Sequence, residues 1–344
     1  MAASELVGDP ALGELLDEEL CYDATTTTRL SNHLPMALVA LHRLGASDDR
    51  LAEFAAQYRG RLASIPDTVP VASYDEWLAA RGKRDAYGAL RGYFDAQIAE
   101  GGPESTLRRH LPALVDGLGG AAFHGLIRLA YAVEVASDAR IAAGLAYLSE
   151  VHQPLGERGR SIAWTADPLV ALRRLSDVAV LREMARTGNI GQRMRQVAAH
   201  PTFSGVVDWL EVDESTPRRL CAAAVALYST TDDFTALHAV TASHAALVVT
   251  PFVEDRGALC AYWFQAMAAA YLSIGAPRLT EPGRPLEPWL AAPVSWERIA
   301  SAATTSDDEH VSKLVYSARE LERVDASPLL RAVAARQAGI APEG

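Results

Sequence analysis

Four histidines stand in segments that read as helices and are spread over most of the chain. They are His33 in SNHLPMALVALHRLGA, His124 in GGAAFHGLIRLAYAVE, His238 in TALHAVTASHAALVV and His310 in DDEHVSKLVYSARE. Imidazole is the commonest side-chain metal ligand, and segments this distant in sequence meet only at the centre of a fold. Lys313 follows His310 by three residues, a spacing that sets both on one helix face. Two readings stay open on these residues alone: a metal centre built across a helical core, or four unrelated histidines. Lys313 has two readings as well. A solvated lysine is the plain one, yet an ammonium in the first turns faces the positive end of the helix dipole. A neutral lysine amine adds CO2 to give a carbamate, which reverses the charge and offers an oxygen ligand. Burial favours that neutral amine.

The remaining histidines carry less. His42, His110 and His200 stand among Arg, Pro and polar neighbours, and His152 in LSEVHQP reads as a helix-end residue. His244 lies six positions after His238, about 120° round a helix, so the two do not share a metal, although His244 can line the same cavity. Gly117, Gly119 and Ala122 match G-x-G-x-x-A superficially, but no strand precedes them and no βαβ unit surrounds them. No G-x-S-x-G elbow, Walker A loop or H-E-x-x-H motif is present. Cys21, Cys221 and Cys260 have no C-x-x-C spacing and read as small hydrophobes.

Apolar residues recur at three-to-four spacing almost throughout. Leu34, Leu38, Leu41 and Leu44 make one stripe, and RLAEFAAQYRGRL and GLIRLAYAVEVA behave alike. Period-two alternation is scarce, so the expected class is all-α, a single large helical domain with the site in the core between helices. Ser306-Asp-Asp-Glu309 fits a capping box that starts the helix carrying His310 and Lys313. Thr231-Asp-Asp-Phe opens the His238 helix and Pro251 closes it, while Gly45 ends the helix after His33. The breaker-rich stretch from Ile274 to Trp296 reads as a long loop over the core, because His310 lies beyond it and must return. One domain over residues 1–344, with a core of roughly residues 20–335, is the expectation.

Composition agrees. The 344 residues are 49% hydrophobic and 22% charged, with a formal net charge of −11, which argues against nucleic acid or an anionic membrane as partner. No run approaches the ~18 apolar residues of a membrane span. The acidic start, MAASELVGDPALGELLDEEL, has neither the basic segment nor the apolar run of a secretory signal. A cytoplasmic setting is expected.

The order of SNHLPMALVALHRLGAS with its following Tyr58, GGAAFHGLIRLAYAVE, FTALHAVTASHA and DDEHVSKLV resembles the questin oxidase-like family over roughly residues 30–320. That resemblance implies helical oxygenases that open rings of anthraquinone-type polyketides, by C–C cleavage or by Baeyer–Villiger-type oxygen insertion. Members are variously regarded as non-haem iron enzymes or as NADPH-dependent. The implied iron site uses four histidines and a carboxylated lysine, here His33, His124, His238, His310 and Lys313. Additional histidines of some members fall where this chain has Met36 and Ala37. The implied cofactor is Fe(II), replaced by zinc, nickel or cobalt on purification because raw affinity does not favour iron, with O2 as co-substrate and NADPH as an alternative reductant. Glu134, Thr241 and Asp307 are the expected partners of the imidazoles. Tyr131, Phe234, Tyr262, Trp263 and Phe264 are the expected lining for a small aromatic or quinone substrate. The alternatives are a metal-free NADPH-dependent Baeyer–Villiger oxidase and a helical ligand-binding protein without turnover. Both a monomer and a homodimer are compatible with the Ala-rich helices.

Overall fold

A computed structural model describes residues 10–279, 281 and 283–342. It is 66% helix and 3% strand, as the three-to-four periodicity predicts. The small sheet pairs Tyr22–Thr26 antiparallel with Leu62–Ser64, Tyr22 opposite Ser64 and Thr26 opposite Leu62. Among the described residues no helix is long and apolar enough to cross a membrane. Buried apolar side chains from Leu12 to Ala335 form one contiguous cluster.

Four helices position the site: Leu34–Arg43, His124–Glu134, Phe234–Val249 and Glu309–Glu322. Each packs on two of the others, Leu34–Arg43 on Glu309–Glu322, that on Phe234–Val249, that on His124–Glu134, and the last back on the first. The ring closes. Such a central position explains why Leu34–Arg43 is buried at Leu34 and from Met36 through Leu41, rather than along the single leucine stripe that its spacing suggests. Alanine-rich Phe234–Val249 is likewise buried on nearly all sides, a pattern that belongs to helices enclosed by other helices.

Two further features hold the ring. Helix His124–Glu134 crosses Asp138–Glu150 at paired glycines, where a Cβ on Gly125 would stand 2.9 Å from the Leu148 Cα, and one on Gly144 2.7 Å from that of Leu129. No side chain fits there. A buried ion pair joins Arg128 Nη2 to Glu19 Oε1 at 2.8 Å, and Asn32 Nδ2 donates to the same oxygen at 2.8 Å. This network ties the segment before His33 to the His124 helix and to helix Pro10–Glu19. Breaking such a pair from one side costs about 3–5 kcal/mol.

Helix ends follow the local chemistry with one correction. Asp233 caps Phe234–Val249 by accepting from the Thr235 N–H, and that helix gives way at Val249 to the short turn Thr250–Phe252 around Pro251. Leu34–Arg43 ends before Gly45, whose φ of 93° glycine tolerates. The last site helix is capped by Asp308, which accepts from the His310 N–H at 2.8 Å, and not by Ser306. In Ser-Asp-Asp-Glu every residue but the last is a good cap, so the sequence does not choose among them. The stretch from Ile274 to Trp296 contains the short helical segments Arg284–Leu286 and Glu287–Ala291.

Candidate metal centre

The ring of helices brings the four imidazole rings side by side, with His238 outside the closest group of three and Lys313 buried as their electrostatic neighbour. His33 is the residue that caps its helix, His124 opens the second, His238 is the fifth residue of the third, and His310 and Lys313 are the second and fifth of the fourth. The His33 and His124 rings stack with centroids 4.5 Å apart. His33 meets His310 edge-on at 4.8 Å, His124 meets His238 at 4.7 Å, and His238 meets His310 at 5.5 Å. One ring nitrogen each from His33, His124 and His310 lies within 4.8 Å of the other two. Nitrogens bonded to one ion at about 2 Å stand no more than about 4 Å apart, so a small inward shift suffices for shared coordination.

Three of the four rings are oriented by an acceptor on the far nitrogen. His124 Nδ1 donates to the Ala121 carbonyl at 2.6 Å, His238 Nδ1 to the Phe234 carbonyl at 2.7 Å, and His310 Nδ1 to Asp308 Oδ1 at 2.8 Å. Carbonyl and carboxylate oxygens can only accept, which fixes the proton on Nδ1 and leaves Nε2 with its lone pair. The Nε2 atoms of His124, His238 and His310 are all buried without a hydrogen-bond partner. Three orphaned acceptors in one core are rare. His33 differs. Its backbone N–H donates to Tyr58 Oη at 2.9 Å, and its Nδ1 lies 3.3 Å from Glu309 Oε1 but out of line for a hydrogen bond.

Electrostatics keep the rings neutral. Burial, and then neighbouring Lys313 and the other imidazoles, hold His33 and His124 well below the ordinary histidine range; the same burial takes His238 down to about 3. Burial lowers His310 also, opposed by its Asp308 bond. Lys313 is buried beside these rings. Burial brings it down to about 8 against the pull of Glu309 and Asp308. Lys313 acts electrostatically on all four imidazoles, so its amine belongs to the same cluster. The positive ends of four helices converge here as well, a field that favours an anion beside any bound cation.

His124 stands where it does because of the turn before it. Gly117 closes one 3-10 turn, Gly119 precedes the next and Ala122 lies within it, so the three do not form a nucleotide loop. Ala121, Ala122 and Phe123 follow with φ of 47°, 56° and 69°. Left-handed backbone costs an L-residue with a side chain roughly 1–2 kcal/mol.

The expected partners of the imidazoles are corrected. Asp307 pairs with Arg50 at 2.7 Å on the surface, and the Thr241 hydroxyl donates to the His238 carbonyl at 3.2 Å rather than to a ring. Glu134 lies ten residues beyond His124, about 15 Å along the helix. There it accepts from the Tyr316 hydroxyl at 2.7 Å and lies 3.2 Å from His244 Nε2. His244 therefore belongs to a separate buried polar group, with Ser317 at 3.4 Å. Asp308 and Glu309 are the residues that sequence reasoning missed. Their signal was adjacency to His310.

The expected aromatic lining also shrinks. Among the described residues, none of Tyr131, Tyr262, Trp263 and Phe264 packs its ring on the four imidazoles; Trp263 and Phe264 lie on helix Arg256–Ser273, behind the His238 helix. Phe234 alone does so, 4.7 Å from His238 and 4.6 Å from His310, and it is 52% exposed. It marks the solvent side of the cluster, and Arg61 ion-pairs at 3.3 Å with Glu309, the neighbour of His310. Other histidines stand apart from the cluster: His110 is bonded to Tyr93 and to the Thr106 carbonyl in the core, and His152 to Asp116.

Compared with models of known protein families, residues 30–318 match the one described as Questin oxidase-like. No individually curated protein matches the chain.

Proposed function

The chain belongs to the questin oxidase-like family, and from that premise we propose that it is an iron-dependent oxygenase that opens a ring of a quinone or aromatic polyketide. The bond change is C–C cleavage or Baeyer–Villiger-type oxygen insertion. The observation that carries the iron reading is the set of orphaned, buried Nε2 atoms on His124, His238 and His310, each with its Nδ1 proton pinned from behind. Such a donor set suits a divalent transition metal. It has no use in a metal-free NADPH-dependent oxidase.

Iron held there would supply the binding and reduction of dioxygen. His33, His124, His238 and His310 would hold it with neutral nitrogen, and Lys313, as a carbamate, with an anionic oxygen. Asp308 keeps His310 in one tautomer, and the Ala121 and Phe234 carbonyls do so for His124 and His238. Phe234, half exposed against two of these rings, offers an aromatic face to a flat substrate at the solvent side. In cleavage both oxygen atoms of O2 enter the product. In single-atom insertion the other oxygen leaves as water, and two electrons come from a substrate hydroquinone or from NADPH. The test is reconstitution: metal-stripped protein loaded with Fe(II) under argon should consume O2 once air and an anthraquinone-type substrate are admitted. Equal turnover by the stripped protein would end the iron reading.

A further inference from the structure

The segment leading into His124 spends conformational energy in a place where the sequence could have avoided it. Glycine is used at 117, 120 and 125, where close packing leaves no room for a Cβ, and at 119, where one would be tight. It is not used at 121–123, where three successive left-handed residues are Ala, Ala and Phe. Glycine adopts that backbone freely. The run is also clamped from outside. A Cβ on Gly120 would lie 1.8 Å from the Val151 carbonyl oxygen, one on Gly119 would meet Met194 at 3.0 Å and Ala266 at 3.1 Å, and the Cβ site of Gly191 faces Ala121 at 3.8 Å. Phe123 is fully buried.

We propose that the left-handed run Ala121–Phe123 is a positioning element that aims His124 before any metal arrives. The link is direct, because the Ala121 carbonyl accepts the His124 Nδ1 proton at 2.6 Å. The backbone angles of Ala121 set where that carbonyl points, and the carbonyl sets the tautomer and tilt of the ring. Alanine and phenylalanine in a clamped left-handed turn have one conformation open to them. Glycines there would have several, and the ring would lose its fixed aim. The inference rests on the metal-centre reading and concerns this chain's own backbone.

The test uses Co(II) as the probe on full-length, metal-free protein, read by titration and by the visible absorption of the bound ion. In the double variant Ala121→Gly/Ala122→Gly, Co(II) should bind on the order of tenfold more weakly, the size of effect seen when ligand-orienting partners are removed. Its absorption bands should shift. The same metal-free variant should melt no lower than wild type, because glycine relieves the backbone. Ala121→Asn, a residue that tolerates left-handed geometry without glycine's freedom, should keep wild-type affinity within about twofold. Equal Co(II) affinity and spectrum in wild type and double variant would overturn the proposal alone. So would a lower melting temperature in the double variant, since that points to general loosening. If wild type takes up no Co(II), the metal reading falls and this proposal with it.

Discussion

Three imidazole nitrogens in the core carry a lone pair and have no hydrogen-bond partner among the described residues, and the Lys313 amine is buried beside them. Without a ligand this is an expensive arrangement, and pH exposes it. The rings are held neutral in the folded chain, His238 down to about 3 and His33 and His124 well below the ordinary 6.5. The unfolded chain takes up protons near that ordinary value, so it binds more of them throughout the window below it. Stability is fully present above about 6.5 and is lost as pH falls towards the folded values. The melting temperature of metal-free protein should therefore drop steeply below that point, with a slope of more than one proton; a flat profile down to pH 4 would mean solvated rings. Lys313 gives a second prediction. At neutral pH an ammonium would face a dication, four neutral imidazoles and four positive helix ends, whereas a carbamate corrects the sign. Lys313→Ala should lose metal and activity. Lys313→Glu should recover part of the metal, and bicarbonate should aid reconstitution of wild type but not of Lys313→Glu. Normal metal content and turnover in Lys313→Ala would reduce the residue to core packing. Residue type and spacing singled out these five positions, and the family resemblance is what joined them into one expected set. Glu309 was not among them, because the direction of a carboxylate beside a histidine is set by what packs opposite, here His33 and Arg61.

Helix starts, more than helix bodies, build the centre. Four of the five candidate ligands lie within the first five residues of their helices and His33 stands at a cap, so small changes in capping move them. Asp308 combines two tasks, accepting from the His310 backbone N–H and from its ring. Asp308→Ala should cost about 1 kcal/mol of stability as a lost cap and should also weaken metal binding. Ser306→Ala, at the cap favoured by spacing alone, should do neither. Thermal melts and metal titrations of the two variants separate these outcomes, and a reversed order would restore Ser306 as the cap. The periodicity of the helices was plain in the sequence. The turn before His124 was not, since Ala-Ala-Phe is a poor signal for three left-handed residues and only its glycine-rich flank hinted at anything irregular. Glu134 misled for a simpler reason: it closes the motif that His124 opens, but a helix of that length carries it to the far end of the ring.

At the scale of the whole molecule, the closed ring of Leu34–Arg43, His124–Glu134, Phe234–Val249 and Glu309–Glu322 draws its members from both ends of the chain. The breaker-rich stretch after Ile274 is the passage that lets the last of them return. We read this arrangement as one domain. Denaturant unfolding followed by tryptophan fluorescence and by far-ultraviolet circular dichroism should then give one coincident transition, and two separated transitions would divide the chain. Helical class and return path were legible from periodicity and breakers. The closure of the ring was not, because which helix faces meet depends on packing between segments far apart in the chain. That closure gathers the four imidazole rings, with ring nitrogens of His33, His124 and His310 within 4.8 Å of one another, and metal content tests its meaning most directly. Elemental analysis of the protein, loaded anaerobically with Fe(II) and freed of excess, should give roughly one iron per chain, falling steeply in His124→Ala and His238→Ala that remain folded. Folded wild-type protein that holds almost no metal after such loading, or variants that hold as much as wild type, would contradict a metal centre at the heart of this fold.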